Sequence, residues 1–571
     1  MITGMTAGVR QEPREAVRPR TPRRPRLPVL LALLVGLAGV GHRLALLLAD
    51  APPTNSDEAT MGLAALHIAR GADFPVWFYG QAYMGTLEAY LAAPLLALTG
   101  PSTLALRVPT LALYALFLAL SWRLARRLGG DPWFALLVVA LLALGSDRVV
   151  KNQLIAGGGY PELNPAGAAL ALLTVGLCAA GPARRLPRWA AWGTVSGLML
   201  WVDPLILPYV LGTGAVLVVA RRRELAGRAG LVAAGTLLLG AAPMLWDSLR
   251  HGRDPLAAVL AAGGGTVPVG WGERLHGGLV LGPPLGTGFC DPGRCADWQL
   301  WWAVAYPVLL VLAVATAWRT LRGRLSPPAL APDGTSPGPG GVRADDGAVG
   351  GPEPADRWVS AAVRLALLAG SVGVLAAYTV SRAAGSTPVE SSRYLSCLAV
   401  ATPALLWPLW RAARRAVPAG RGDRAGGRWA RVAGLVAVGL LAGMFATAGA
   451  ATAGAVRTVP ATHAEADRHR ALVDELRTRG VRHVRAGYWT CNRLTYATGE
   501  QVVCAVVDDE QRPGFDRLPR YRRAVAADPT AAWVAPAGSP LAARLDSRLG
   551  PEPGALDLVE VPGWRIYLPR R

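Results

Sequence analysis

The sequence predicts a mainly α, polytopic membrane protein of about eleven transmembrane helices, followed by a small C-terminal α/β domain outside the membrane. Three observations carry this. Of 571 residues, 52% are hydrophobic and only 17% charged, with a mean hydropathy of +0.31, too apolar for an ordinary soluble enzyme. Apolar runs long enough to cross a bilayer recur along the chain. Arginine gathers in short clusters at alternate connections between those runs, the positive-inside pattern. That clustering accounts for the formal charge of +21 and argues against a nucleic-acid partner. The 67 Gly and 46 Pro show no period and heptads are absent, which excludes collagen-like and coiled-coil classes.

Residues 1–26, with Arg14, Arg18, Arg20, Arg23, Arg24 and Arg26, read as a basic, disordered cytoplasmic tail. The run 27–49 then enters the membrane from the cytoplasm. A cleaved signal peptide is the competing reading; against it stand the length of the run, Arg43 near its far end and the lack of a small-x-small cleavage site. Further runs lie at 103–122, 132–146, 163–181, 189–202, 204–220, 229–246, 299–318, 358–380, 394–410 and 432–452. Arg123/Arg126/Arg127, Arg184/Arg185/Arg188, Arg221/Arg222/Arg223/Arg228, Arg319/Arg322/Arg324 and Arg411/Arg414/Arg415/Arg421/Arg424 then all fall on the cytoplasmic side. The stretch 189–220 carries Arg at both ends, so it returns to the side it left, with 201–204 as its outer turn.

This divides the chain into a transmembrane core over 27–324 with a first outer loop at 50–102, a disordered cytoplasmic linker over 325–356, C-terminal membrane helices over 357–456 and an extracytoplasmic α/β domain over 457–571. The last segment predicts helices at 463–479 and 539–549 and strands at 501–507, 532–535, 556–561 and 564–569. Cys290 and Cys295 share the outer loop 247–298, and Cys491 and Cys504 share the outer domain, so two disulfides are expected, with four free thiols as the alternative. Cys178 and Cys397 fall in membrane helices and are expected to be inert.

The first outer loop holds the densest set of polar and aromatic groups near the membrane. It opens Asn55-Ser56-Asp57-Glu58, where Asn55 can cap a helix and Glu58 can reach back to it as in a capping box. Met61, Leu63, Leu66 and Ile68, ending at Gly71, suggest a short amphipathic helix on the membrane surface. On that basis Asp57 and Glu58 could be no more than helix-start acids. The segment 78–90 then adds Tyr79, Gln81, Tyr83 and Glu88. Its aromatics would serve as an interfacial belt, but a belt does not need Glu88, and a carboxylate at membrane depth is a functional candidate.

The order of an N-terminal helix, a loop opening Asp-Glu-Ala, an amphipathic helix, Phe-Tyr-Gly-Gln-x-Tyr-Met-Gly-x-Leu-Glu-Ala-Tyr and then Gly-Pro-Ser-x-x-Ala-Leu-Arg-x-Pro resembles bacterial membrane glycosyltransferases of the GT-C class. The nearest relatives would be the protein O-mannosyltransferase-like (family 39) and aminoarabinose-transferase-like enzymes. Ser392-Arg393-Tyr394-Leu395 resembles the Arg-Tyr-Leu that opens a late helix in them, although Ser396-Cys397 departs from their pattern. The resemblance implies transfer of a sugar from a polyprenyl-phosphate donor to an extracytoplasmic acceptor hydroxyl, with inversion. It implies Asp57 as general base, with Glu88 second and Glu58 a structural cap. Arg393 and Tyr394, with Lys151 and Arg148 from the loop 147–162, would hold the lipid phosphate; for Arg393 the bland reading is a snorkelling arginine and for Lys151 a solvated one.

Tyr79, Gln81 and Tyr83 would line the substrate loop, while Asp203 and Asp247 read as helix-end polar groups. The 7 His are scattered without zinc spacing, so no metal site is expected, although a divalent cation between Asp57 and Glu88 stays open, since some relatives use one. Phosphate-loop and Rossmann fingerprints are absent, against a nucleotide-sugar donor. A transporter or flippase of lipid-linked sugars is the alternative, but it would show two related halves, and the acid-rich loop occurs once. A membrane anchor for the outer domain would need one or two helices. A bacterial plasma membrane is the expected location; sugar, acceptor and oligomeric state are not legible.

Overall fold

A computed structural model describes residues 27–179, 185–254, 257, 268–290, 295–323, 354–416, 428–550, 552 and 555–570. The basic tail at 1–26 and the linker as far as 353 lie outside them. The first part of the chain forms α1 (Leu27–Leu48), α2 (Ser56–Ala69), α3 (Leu87–Thr99), α4 (Thr103–Gly129), α5 (Pro132–Ala143), α6 (Asp147–Leu154), α7 (Tyr160–Ala179), α8 (Arg185–Val202), α9 (Leu207–Leu225), α10 (Arg228–Gly240) and α11 (Ala242–His251). Long helices follow at Trp301–Arg322, Pro354–Val380, Thr402–Ala416 and Arg428–Arg457.

Among the described residues, 8 helices are long and apolar enough to cross a membrane, or up to 10 if each bent pair is one span. The expected count of eleven is therefore not reached, for three local reasons. The run 132–146 stops being one rod at Gly145-Ser146, where α5 and α6 meet at 93°. The run 229–246 breaks at Ala241, and α10 and α11 diverge by 61°; Pro243 at the start of α11 has no N–H to continue the ladder. α8 begins with Arg185 and Arg188 and is not among the spans. It packs on α10 through glycines: a Cβ on Gly197 would stand 1.9 Å from the Leu237 carbonyl, and one on Gly193 2.3 Å from that of Ala233. Backbones this close give dense dispersion contact, the small-residue mode of helix association.

Caps fix the ends near the site. Ser102 accepts from the Ala105 amide to start α4, and Gly130, at φ 73°, ends it; Arg126 and Arg127 in its last turn face the helix dipole favourably. Asn55 accepts from the Glu58 amide at 2.9 Å, as its position predicts. The rest of the capping-box expectation fails, because the Glu58 carboxylate turns away to Arg107. The surface-helix expectation fails too. In α2 nearly every residue from Ser56 to His67 is buried, Met61, Leu63 and Ala65 completely, because α3 covers one side and the C-terminal domain the other.

That domain follows the helix Val459–Thr478. It holds β1 (His483–Ala486), β2 (Val503–Val506), β3 (Ala532–Pro536), β4 (Leu556–Val561) and β5 (Trp564–Pro569), in the sheet order β2-β1-β3-β5-β4. β1 is parallel to β2 and β3, while β5 is antiparallel to β3 and β4. The four expected strands are present; β1 and the helices Tyr488–Ala497 and Pro519–Ala526 were not foreseen, because four to ten residues of mixed polarity leave no period to read. Both expected disulfides form, with Cα–Cα separations of 5.0 Å for Cys290–Cys295 and 5.2 Å for Cys491–Cys504. Cys178 and Cys397 are free.

Helix Tyr488–Ala497 docks directly on α2. Asn492 donates to Thr60 Oγ1 at 2.9 Å, Ser56 donates to the Tyr488 carbonyl, and Tyr496 donates to the Ser102 carbonyl at 3.0 Å. Only glycine fits at position 62, where a Cβ would lie 2.5 Å from the Tyr496 ring. A second cluster gathers Arg70, His67, Arg520 and Tyr521 around Glu500. These partners hold the Glu500 carboxyl at about 2 against its burial, so it is ionised at neutral pH.

Candidate active site

The start of α2, the segment 81–84, the Gly157–Tyr160 turn, the connection 203–205, and the helices at 374–383 and 393–394 enclose a cavity of about 210 Å³. Asp57 enters it from the first turn of α2, because Asn55 holds that turn in place and leaves Asp57 outside the packed face. Its Oδ1 accepts from the Tyr488 hydroxyl at 2.5 Å and from Arg517 at 2.8 Å. Its Oδ2 makes no hydrogen bond among the described residues.

Opposite, the 3₁₀ segment Ser392–Ala401 brings Arg393 and Tyr394 to the cavity. The Arg393 guanidinium lies 5.9 Å from the Tyr160 ring centre and 5.5 Å from that of Tyr394, and its Nε is buried without a partner. Asp203 lines the same space while accepting from the Leu205 amide at 2.8 Å. Burial pushes its carboxyl up to about 7, against the pull of that amide and of Arg393. The cavity is thus lined by the Asp57 carboxylate, the Arg393 guanidinium and an acid that titrates near neutrality.

Of the residues expected at the site, Asp57, Gln81, Tyr83, Arg393 and Tyr394 all line the cavity. Glu58 does not: Arg107 grips it with two hydrogen bonds of 2.6 and 2.7 Å, both side chains being almost wholly buried. Glu88 sits behind the glycine turn, accepting from the Gly158 and Gly159 amides at 3.3 and 3.2 Å. Burial and the neighbouring Glu162 carboxyl raise its pKa well above the usual range. Gly158 and Gly159, at φ 138° and 82°, permit the turn that presents both amides to it.

Tyr79 is also outside the cavity; its hydroxyl donates to Asp73 at 2.8 Å and lies 2.8 Å from His67 Nδ1. Lys151 and Arg148, on α6, do not line the cavity either. Arg148 has Arg393 and Glu390 among its charged neighbours, and Lys151 has the Glu58–Arg107 pair. Among the described residues no group of three or more His, Cys, Asp or Glu could hold a metal ion. With Glu88 turned to the glycine amides and Asp57 Oδ1 taken, the two carboxylates do not fit a shared cation.

Sequence reasoning missed Tyr160, Tyr378, Tyr488 and Arg517. Asp203 was read as a helix-end group, which it is, and it also faces the cavity. The glycine triplet beside Tyr160 was a local signal; for Arg517, 460 positions from Asp57, there was none.

No family model matches the chain, and no curated protein matches it in sequence. Among solved structures it is similar to ArnT from Cupriavidus metallidurans bound to undecaprenyl phosphate, with a TM-score of 0.52 and 15% identity, covering 95% of this chain and 97% of that one. It is also similar, at a TM-score of 0.47 and 11% identity over 90% of this chain and 70% of that one, to the apo oligosaccharyltransferase of Archaeoglobus fulgidus. The chain has the GT-C fold of membrane glycosyltransferases, as the resemblance in its first loop led one to expect.

Proposed function

We propose that this chain is an integral membrane glycosyltransferase that moves a hexosyl or pentosyl unit from a polyprenyl-phosphate donor to an acceptor hydroxyl, with inversion at the anomeric carbon. The observation that carries the reading is one cavity that opens on both the Asp57 carboxylate and the Arg393 guanidinium. The ArnT neighbour, bound to undecaprenyl phosphate, supports the donor class. In the step, Asp57 Oδ2 takes the proton of the acceptor hydroxyl as its oxygen bonds to the anomeric carbon. The bond from that carbon to the phosphate oxygen breaks, and its electron pair leaves with the lipid phosphate. The Arg393 guanidinium and the Tyr394 hydroxyl, which line the cavity, stabilise that charge. Gln81 and Tyr83 orient the sugar or the acceptor. Arg148 and Lys151 add positive potential behind Arg393 rather than direct contacts.

In this reading the N-terminus is cytoplasmic and the C-terminal domain, with the cavity, lies on the outer face of the plasma membrane, which the arginine clusters at alternate connections support. The test is turnover of a panel of polyprenyl-phosphate sugars by the purified protein in lipid discs. Asp57→Asn is expected to abolish turnover while donor still binds. Absence of turnover and of donor binding in a folded sample would refute the reading and leave lipid-linked sugar translocation to be tested.

A further inference from the structure

The C-terminal domain reaches the Asp57 carboxylate itself. Arg517 uses each of its three nitrogens on a different group: Nη2 donates to Asp57 Oδ1 at 2.8 Å, Nε to the Tyr488 hydroxyl at 2.5 Å and Nη1 to the Tyr79 carbonyl at 3.1 Å. Its guanidinium lies over Phe78 at 4.5 Å, Phe515 at 5.4 Å and Tyr488 at 5.5 Å, and its side chain is 6% exposed. The Tyr488 hydroxyl in turn donates to the same Asp57 Oδ1.

We propose that Arg517 is the positioning residue of Asp57, so that the C-terminal domain sets the orientation of the catalytic base; this rests on the reading of Asp57 as base. A carboxylate on a free χ2 torsion samples a broad range of orientations. Two charge-assisted hydrogen bonds to one oxygen remove that freedom and leave Oδ2 facing the cavity. The guanidinium is fixed in its own turn by the Tyr79 carbonyl and three rings, so it acts as a rigid peg rather than a loose counter-ion. Its loop is tied to the sheet: Asp516 accepts from the Val506 amide of β2 at 2.8 Å and from Arg522 at 2.5 Å. The rest of the interface does not depend on this contact, because Asn492–Thr60, Tyr496–Ser102 and the Glu500 cluster hold the domain without it.

The experiment compares the full-length protein with Arg517→Met, Arg517→Lys, Arg517→Ala and Tyr488→Phe in lipid discs, with Asp57→Asn as reference. Arg517→Met is expected to lower kcat about 10- to 100-fold, as misplacement of a reacting group does, with donor KM unchanged within about threefold. Lysine supplies one donor where three are used, so Arg517→Lys falls between wild type and Met. Tyr488→Phe removes one hydrogen bond to Asp57 Oδ1 and one anchor of Arg517 but keeps the Arg517–Asp57 bond, and should cost less, about 3- to 10-fold. Added methylguanidine should restore part of the kcat lost in Arg517→Ala, which a structural role alone would not allow. Should Arg517→Met fail to fold, Tyr488→Phe and the rescue of Arg517→Ala decide the matter. Turnover that needs Asp57 but is unchanged in Arg517→Met overturns this inference and leaves the proposed function standing. A rise in kcat also overturns it, since the pair would then restrain the base. No turnover by wild type removes both.

Discussion

Substitution of Glu58 separates a structural acid from a catalytic one. Glu58 and Arg107 have side chains only 1% and 2% exposed, joined by hydrogen bonds of 2.6 and 2.7 Å; Arg107 also donates to the Pro52 carbonyl at 2.9 Å. Glu58→Gln keeps the shape but leaves a buried guanidinium without a counter-charge. Breaking a buried pair on one side costs about 3–5 kcal/mol, because the remaining ion cannot regain its hydration. Removing both charges in Glu58→Gln/Arg107→Gln leaves no orphaned ion, so the double variant should be destabilised by less than the sum of the singles. A coupling of about 1–3 kcal/mol is expected for residues in contact. Denaturant titration of the detergent-solubilised protein, followed by tryptophan fluorescence, measures all four corners of the cycle. Turnover recorded on the same samples should fall only as far as folded protein is lost. A Glu58→Gln variant that unfolds at the wild-type denaturant concentration yet transfers no sugar would refute the reasoning and return Glu58 to the chemistry.

Two further outcomes follow from buried acids. The Asp203 carboxyl, raised to about 7, is protonated below that pH and charged above it; retention of an anionic lipid phosphate should therefore strengthen as pH falls from 8 to 6 and lose this dependence in Asp203→Asn. Equal pH dependence in wild type and Asp203→Asn, measured by donor binding, would discount the role. Glu88 accepts from the Gly158 amide through one oxygen and from the Gly159 amide through the other, whereas glutamine has a single acceptor oxygen. Glu88→Gln should therefore leave one amide unpaired and lower turnover part-way, whereas Glu88→Ala leaves both unpaired at about 1–3 kcal/mol each and loses turnover through the loop. Complete inactivity of a well-folded Glu88→Gln would make it a proton carrier instead.

The membrane class, most of the apolar helices, the Asn55 cap, the two cysteine pairs and the candidates Asp57, Arg393 and Tyr394 were all legible in the sequence. Each rests on local information: hydropathy over some twenty residues, a cap within three, or a short motif. What the sequence misjudged depends on which surface is covered. The apolar positions of α2 read as a face lying on the membrane, yet a second layer from the C-terminal domain buries the opposite face as well. Glu58 and Asp57 are neighbours in the chain and both acidic; only the arrival of Arg107 from α4 and Arg517 from the far domain separates them into a closed ion pair and a carboxylate with one oxygen on the cavity. Helix breaks at Gly145 and Ala241 are likewise invisible to hydropathy, which counts transfer free energy and ignores direction. Composition and periodicity thus determined what must leave water, while the partners of each buried charge were decided by residues tens to hundreds of positions away, because an ion inside the protein persists only where tertiary packing brings it a counter-charge.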